Sequence, residues 1–256
     1  MSPAPALGIA LAAALLAWFA RAVTAGGAIA ATAVGATLLW ATGWPGGLVL
    51  AAFFLPSTLI GRLAGRRPSA SDARGERRDQ VQVLANGAAA AAFACAERSA
   101  PGLGLWMLTG ALATASADTW ATSVGALSPR DPRALLSGDR VPRGTSGGVS
   151  ISGTAGGIAG ALLVAGVAAL AGRDRLLFVV GALLGTAGML LDSLLGASIQ
   201  ARFRCPVCNT PSERRRHRCD TRTELVGGCR WLDNDGVNAV ATLAGGLAAA
   251  VAWTLR

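Results

Sequence analysis

The chain is a succession of apolar stretches separated by short turns or by Arg-rich connections. A helix that crosses a bilayer needs about 20 mostly apolar residues. Eight segments meet this: 5–24, 27–43, 46–63, 80–97, 102–125, 147–171, 176–198 and 236–255. Their Ala and Gly richness dilutes the signal at 80–97 and at the start of 147–171, because Ala is nearly neutral for insertion. Nothing basic precedes the first run and Arg21 follows it, so it reads as a retained helix rather than a signal peptide. The expected fold is all-α: a polytopic bundle of about eight transmembrane helices, one integral membrane domain over 1–256. Its 199–235 connection forms a small cytoplasmic loop containing cysteines.

Composition agrees. Hydrophobic residues make up 52% of the chain, charged residues 14%, and mean hydropathy is +0.48, whereas a soluble domain carries about 25% charged residues. A secreted disulfide scaffold, a coiled coil and a disordered regulator are excluded. The formal charge of +9 comes entirely from Arg, since Lys is absent. Arg placement then orients the bundle. The connections at 62–79, 126–146 and 199–235 carry six, four and eight Arg, and Arg21 lies beside the first short turn. If eight helices alternate, all of these fall on one side, leaving Arg98, Arg173, Arg175 and Arg256 on the other. The positive-inside rule makes the rich side cytoplasmic and both termini external, as in a bacterial inner membrane. The basic charge therefore points to anionic headgroups, not nucleic acid.

Ionisable groups inside membrane helices are expensive and mark function. Asp118, in ALATASADTWATSVG, and Asp192, in GMLLDSLLGASIQ, lie about two turns from the cytoplasmic ends of their segments. A structural pairing with an Arg such as Arg21 is the competing explanation. Other polar residues gather in the same leaflet. Asp79, Gln82 and Asn86 share a face at the start of the fourth segment, and Asn234, Asp235 and Asn238 open the eighth, where Asp233 suits an N-cap. Between them runs RGTSGGVSISGTAGG, whose Arg143, Gly144, Thr145, Ser146, Gly147 and Gly148 resemble a loop or broken helix start. Gly157, Gly160, Gly181 and Gly185 instead suit small-residue helix packing.

Carboxylates with amide oxygens are hard ligands suited to Mg²⁺ and substrate phosphates. A Gly-rich hydroxyl-bearing loop before a helix offers backbone N–H groups to phosphate. Phosphoryl or nucleotidyl transfer to a lipid-borne headgroup fits both. A P-loop and the protein-kinase motif set are excluded, because each needs a Lys. Separately, Cys205-Pro-Val-Cys208 has metal-knuckle spacing, followed by His217, Cys219 and Cys229. In a reducing cytoplasm, zinc is preferred over a disulfide. Cys205, Cys208 and Cys219 are three expected ligands; His217 or Cys229 supplies the fourth. Cys95, in an Ala-rich helix, reads as core.

DQVQVLANG, SADTWATSVG, GTSGGVSISGTAGG, DSLLGASIQ, CPVC and WLDNDGVNAVATLAG occur in that order. They resemble a membrane family first defined as a domain of unknown function, DUF92, which includes phytyl-phosphate kinase. That family is distantly similar to CTP-dependent lipid kinases, such as phytol and dolichol kinases, and to CDP-diacylglycerol synthase. Their pattern is Asp-x-x-Ala-x-x-x-Gly followed by a Ser/Thr/Gly loop. Asp118, Ala121 and Gly125 match its first part, and Thr145, Ser146, Gly147 and Gly148 stand where the loop would be. Arg143 occupies the place where those enzymes usually have Lys. The resemblance implies a kinase that converts an isoprenoid (phytyl or prenyl) monophosphate to its diphosphate with a nucleoside triphosphate and Mg²⁺. Asp118, Asp192 and Asp235 would be the central acids, with Asp79, Gln82, Asn86, Asn234, Asn238 and 143–148 binding substrate or nucleotide. A transporter or lipid flippase also uses buried acids, and a zinc-stabilised scaffold would explain the knuckle. The transporter class places its site at the midplane, and the scaffold leaves Asp118 and Asp192 without a role.

Overall fold

A computed structural model describes residues 1–65, 77–212, 215–217 and 219–256. The centre of the predicted 62–79 connection, 66–76, lies outside them, as do positions 213, 214 and 218 of the Cys-containing loop. Among the described residues, eight α-helices succeed one another: α1 (Pro3–Phe19), α2 (Ala25–Thr42), α3 (Trp44–Ala64), α4 (Gln80–Ala94), α5 (Leu103–Leu127), α6 (Ile151–Gly172), α7 (Arg175–Ser198) and α8 (Asn234–Thr254). The all-α expectation holds.

Side-chain caps fix most helix starts. Thr24 accepts from Gly27 N, Asp174 from Leu176 N and Leu177 N, and Asp233 from Gly236 N. At α4, Asp79 and Gln82 form a reciprocal capping box. Such bonds satisfy amides that a helix start leaves without intrahelical partners. Pro3 and Pro45 sit in the first turns of α1 and α3, where a missing N–H costs nothing.

The expected sixth segment begins too early. Gly148–Val149 forms strand β2, paired antiparallel with β1 (Arg133–Ala134), and Ser150 caps α6 through Gly153 N. Two ladder residues and a β-region cap end the hairpin before the helix can start. The chain after α7 builds a three-stranded sheet from β3 (Arg202–Arg204), β4 (Pro211–Ser212) and β5 (Glu224–Gly227), with β3 central.

α5 is the axis of the bundle. Every residue from Gly104 to Ala117 is buried, and the helix packs on α3, α4, α6, α7 and α8. α1 stands at the periphery against α2, where Ala10 fits opposite Gly35. Among the described residues, five helices, α2, α3, α6, α7 and α8, are long and apolar enough to span a membrane. α5 carries Thr109, Thr114, Ser116 and Asp118, which it tolerates because neighbouring helices rather than lipid surround it. Outward-facing Leu7, Ile29, Leu55, Leu59, Leu183 and Val251 are exposed, as a lipid-facing surface requires.

Opposite the Arg-rich side, Asp174 gathers three elements. Its Oδ2 accepts from Trp106 Nε1 at 2.9 Å and Arg256 Nη1 at 3.1 Å, while the Arg256 guanidinium stacks over Trp106 and Trp253. This clasp ties the start of α5, the α6–α7 turn and the end of α8.

Candidate functional site

Three helices meet at Thr114. A methyl group added to Gly188 of α7 would lie 2.5 Å from Thr114 Cγ2, and one on Gly245 of α8 would meet Thr114 Oγ1 and, at 2.8 Å, Gly110 O. Only glycine permits so close an approach. Gly181, Gly185 and Gly188 face Thr109, Ala113 and Thr114 in turn, so α5 and α7 run parallel; Gly245 and Gly246 face Gly110 and Met107, so α8 runs antiparallel.

This seam determines where the polar side chains stand. Asp118 lies four residues beyond Thr114, Asp192 four beyond Gly188, and Asn238 seven before Gly245. At 1.5 Å per residue, those offsets are about 6 to 10 Å toward the same end of the bundle. Four and seven residues also return a helix close to its starting face. The structure therefore brings Asp118, Asp192 and Asn238 to adjacent helices within about one turn in depth. Asp118 and Asp192 are half-buried, and Asp235, one turn further out on α8, is 8% exposed.

α4 closes another wall. Thr242 Oγ1 reaches Asn238 O at 2.9 Å and crosses to Ala85 O at 3.2 Å. Asn86 Nδ2, beside that crossing, donates to Gln82 O at 2.9 Å. Asp79 and Gln82 are engaged in the capping box: Gln82 N donates to Asp79 Oδ1 at 3.0 Å, and Asp79 N to Gln82 Oε1 at 3.1 Å. Asn234 is half-buried in the first turn of α8.

The Gly-rich loop lies on the end of α7, not directly on the start of α6. Gly147, at φ +74°, leaves no room for a side chain: a Cβ there would sit 2.5 Å from Ala197 Cα. A Cβ on Gly196 would lie 3.2 Å from Gly147 N. Because Gly196 is one turn past Asp192, the loop backbone reaches the level just outside that carboxylate. Gln200 Nε2 donates to Ser146 Oγ at 2.8 Å and pins the loop. Thr145 is tied to Pro142 O, and Gly148 N to Thr145 O. Gly144 takes φ +83°. Arg143 turns instead to Asp131, 3.4 Å away, and donates to Pro129 O at 3.0 Å.

Two further residues carried no pattern in the sequence. Gln200 is 3% exposed. Arg78 precedes α4, exchanges backbone hydrogen bonds with Ala22 and Thr24, and lays its guanidinium over Phe53 and Phe54 at 5.3 and 5.6 Å. Burial pushes Arg78 down to about 10, so it stays cationic at neutral pH. The RRDQ string signals a helix start, but its final Arg folds inward only because the α1–α2 turn supplies a backbone partner.

A separate cluster occupies the loop after α7. The ligand atoms of Cys205, Cys208, His217 and Cys219 all lie within 4.8 Å of one another, an arrangement that could hold a metal ion. Cys205 Sγ and Cys219 Sγ are 3.6 Å apart, and His217 Nδ1 is 3.1 Å from Cys219 Sγ. The edge of a tetrahedron with metal–sulfur bonds of about 2.3 Å is about 3.8 Å, so the spacing fits zinc. His217 Nε2 lies 3.2 Å from Thr210 Oγ1, which leaves Nδ1 toward the thiols. Cys229 stands apart, bridged to Gln200, so His217 is the fourth member. A hydrogen bond with Thr221, then one with His217, brings the Cys219 thiol down to about 6. Sharing with Cys219 pushes Cys208 up to about 11.

Comparison with known proteins places this architecture. The chain is 28% identical over 221 residues to an uncharacterized membrane protein of Methanocaldococcus jannaschii, covering 86% of this chain and 82% of the relative. It is 29% identical over 237 residues to Protein PGR of Arabidopsis thaliana, covering 81% of each. An uncharacterized membrane protein of Synechocystis is 29% identical over 178 residues, covering 65% of this chain and 68% of the relative. No solved structure matches significantly. The family described as integral membrane protein DUF92 matches residues 8–246, and the chain belongs to it.

Proposed function

We propose that this protein is a membrane-embedded phosphotransferase, converting an isoprenoid monophosphate to its diphosphate with a nucleoside triphosphate. The carrying observation is the Thr114–Gly188–Gly245 seam, which supports placing Asp118, Asp192 and Asn238 within about one turn in depth, with the Gly144–Gly148 loop on the end of α7 just outside Asp192. Packing alone does not call for acids there, since a carboxylate inside a membrane bundle is costly.

Asp118 and Asp192 are hard oxygen donors that fit Mg²⁺, with Asn238 or Asp235 alongside. When bound, the ion would neutralise phosphate charge. An oxygen of the lipid monophosphate attacks the terminal phosphorus of the donor; the β–γ P–O bond breaks, and the nucleoside diphosphate leaves. The acceptor is already anionic, so no strong base is required, and positioning and electrostatics supply most of the catalysis. Ser146 and Gly147, held by Gln200 and Ala197, would orient phosphate. Arg78 is the nearby cation this assignment favours; Arg143 braces the loop through Asp131. The site faces the cytoplasm under the Arg asymmetry. The Cys205–Cys208–His217–Cys219 cluster binds structural Zn²⁺ and stiffens the loop between α7 and α8.

The test is incubation of purified protein with prenyl monophosphates of several lengths, CTP or ATP, and Mg²⁺. Diphosphate formation is expected for at least one pair. Folded protein that makes none with any pair rejects the assignment.

A further inference from the structure

We infer that a cleft on the sheet between α7 and α8 binds the phosphate of an anionic membrane lipid, outside the helix-bundle site. The cleft encloses about 410 Å³ and is lined by Phe203, Arg222, Thr223, Glu224, Leu225 and Arg230. The lining includes two Arg and one Glu, a net positive charge. Neither Arg222 nor Arg230 forms an ion pair among the described residues. Arg215 adds a third guanidinium at the back, where Nη2 donates to Arg230 O at 3.2 Å. Like charges crowded around a concave surface are relieved by a bound anion, and a guanidinium fork matches phosphate geometry.

The cleft's position identifies the kind of anion. Ile199–Ala201, leaving α7, and Cys229–Leu232, approaching α8, are zipped together: Cys229 N donates to Ile199 O and Ala201 N to Leu232 O, both at 2.8 Å. Arg230 therefore stands beside the ends of two membrane helices, in the headgroup layer. Trp231 is 76% exposed next to it, and Val226 is 58% exposed on β5. A Trp beside Arg at a helix end is the usual pairing at a membrane–water boundary. Phe203, 5% exposed, and Leu225 supply an apolar floor and edge, which suits an amphiphile better than a free inorganic ion. Binding at this cleft is separable from phosphotransfer, because lipid retention that depends on Arg222 and Arg230 reports it without turnover.

The experiment uses full-length protein in detergent and native mass spectrometry. Phosphatidic acid and phosphatidylcholine of equal chain length are added in separate titrations, then glycerol 3-phosphate as a soluble competitor. Phosphatidic acid is expected to bind preferentially and to resist glycerol 3-phosphate at equal concentration. Arg222→Gln with Arg230→Gln should weaken retention by at least about tenfold. An unchanged melting temperature would show that the doubly substituted protein remains folded. Equal binding of phosphatidylcholine, displacement by glycerol 3-phosphate, or unaltered retention by the folded variant would overturn the assignment. If the double variant fails to fold, Arg222→Gln alone carries the same comparison.

Discussion

Thr114 of α5 rests directly on the backbone of Gly188 in α7, so that even one added methyl group would collide with its side chain. This contact, one turn from both Asp118 and Asp192, fixes how far apart their helices stand. Gly188→Ala must therefore displace Thr114 or separate α5 from α7. A cost of about 1–3 kcal/mol is expected for overpacking. Gly8→Ala is the matched control, since a Cβ there meets nothing within 4 Å. Thermal unfolding in detergent should show a lowered midpoint for the first and none for the second. Equal midpoints would mean that the seam is loose and does not set the site.

The conformation of the Gly144–Gly148 loop depends on Gln200. Gln200→Ala removes the 2.8 Å bond to Ser146, a loss of about 0.5–1.5 kcal/mol. Because the loop rather than the acids is released, KM for the nucleotide should rise more than kcat falls. Gly147→Ala should be more severe: its φ of +74° disfavours a side chain, and Ala197 occupies the space. Kinetics that leave the nucleotide KM of both variants unchanged would separate this loop from donor binding.

Much of the fold was legible because apolar run length is a large signal summed over many residues. Small local pairings were not. β1 and β2 contain two residues each, too few for a period-two pattern, yet their pairing ends the loop before α6 and folds Asp131 beside Arg143. The sequence alone gives no sign that Arg143, expected there to bind phosphate, has Asp131 as a partner. The fourth metal ligand was likewise ambiguous, since His217 and Cys229 both follow the knuckle; the Gln200–Cys229 bridge separates them in space. Asp118 and Asp192 stood out as lone acids in apolar runs. The glycine seam that aligns them depends on which helices touch, which one chain's periodicity does not encode.

Thiol chemistry distinguishes the knuckle's members. Purified protein should contain about one Zn²⁺ per chain; Cys205→Ser should lose it with thermal stability, while Cys229→Ser keeps it. In metal-stripped protein, Cys219, held at about 6, is largely thiolate at neutral pH, whereas Cys208, raised to about 11, remains a thiol. Iodoacetamide should modify Cys219 before Cys208, and its rate should fall as pH drops through about 6. Mass mapping that finds Cys208 alkylated first would contradict the hydrogen-bond arrangement around Cys219.

The central acids admit the sharpest comparison. Asp118→Asn and Asp192→Asn preserve side-chain volume while removing the negative charge required to hold Mg²⁺. Each should lower turnover by at least about a hundredfold, the scale of removing one strong electrostatic contribution. Folding should persist, because a neutral amide is cheaper than a carboxylate within the bundle. A purely structural ion pair predicts a different pattern: loss of stability from an uncompensated Arg, with activity falling only as folded protein falls. Activity per folded molecule separates the two. Well-folded variants with near-normal turnover would remove Asp118 and Asp192 from catalysis. Phosphotransfer would then lack its metal-binding centre, and the polar level beneath Gly147 would require another explanation.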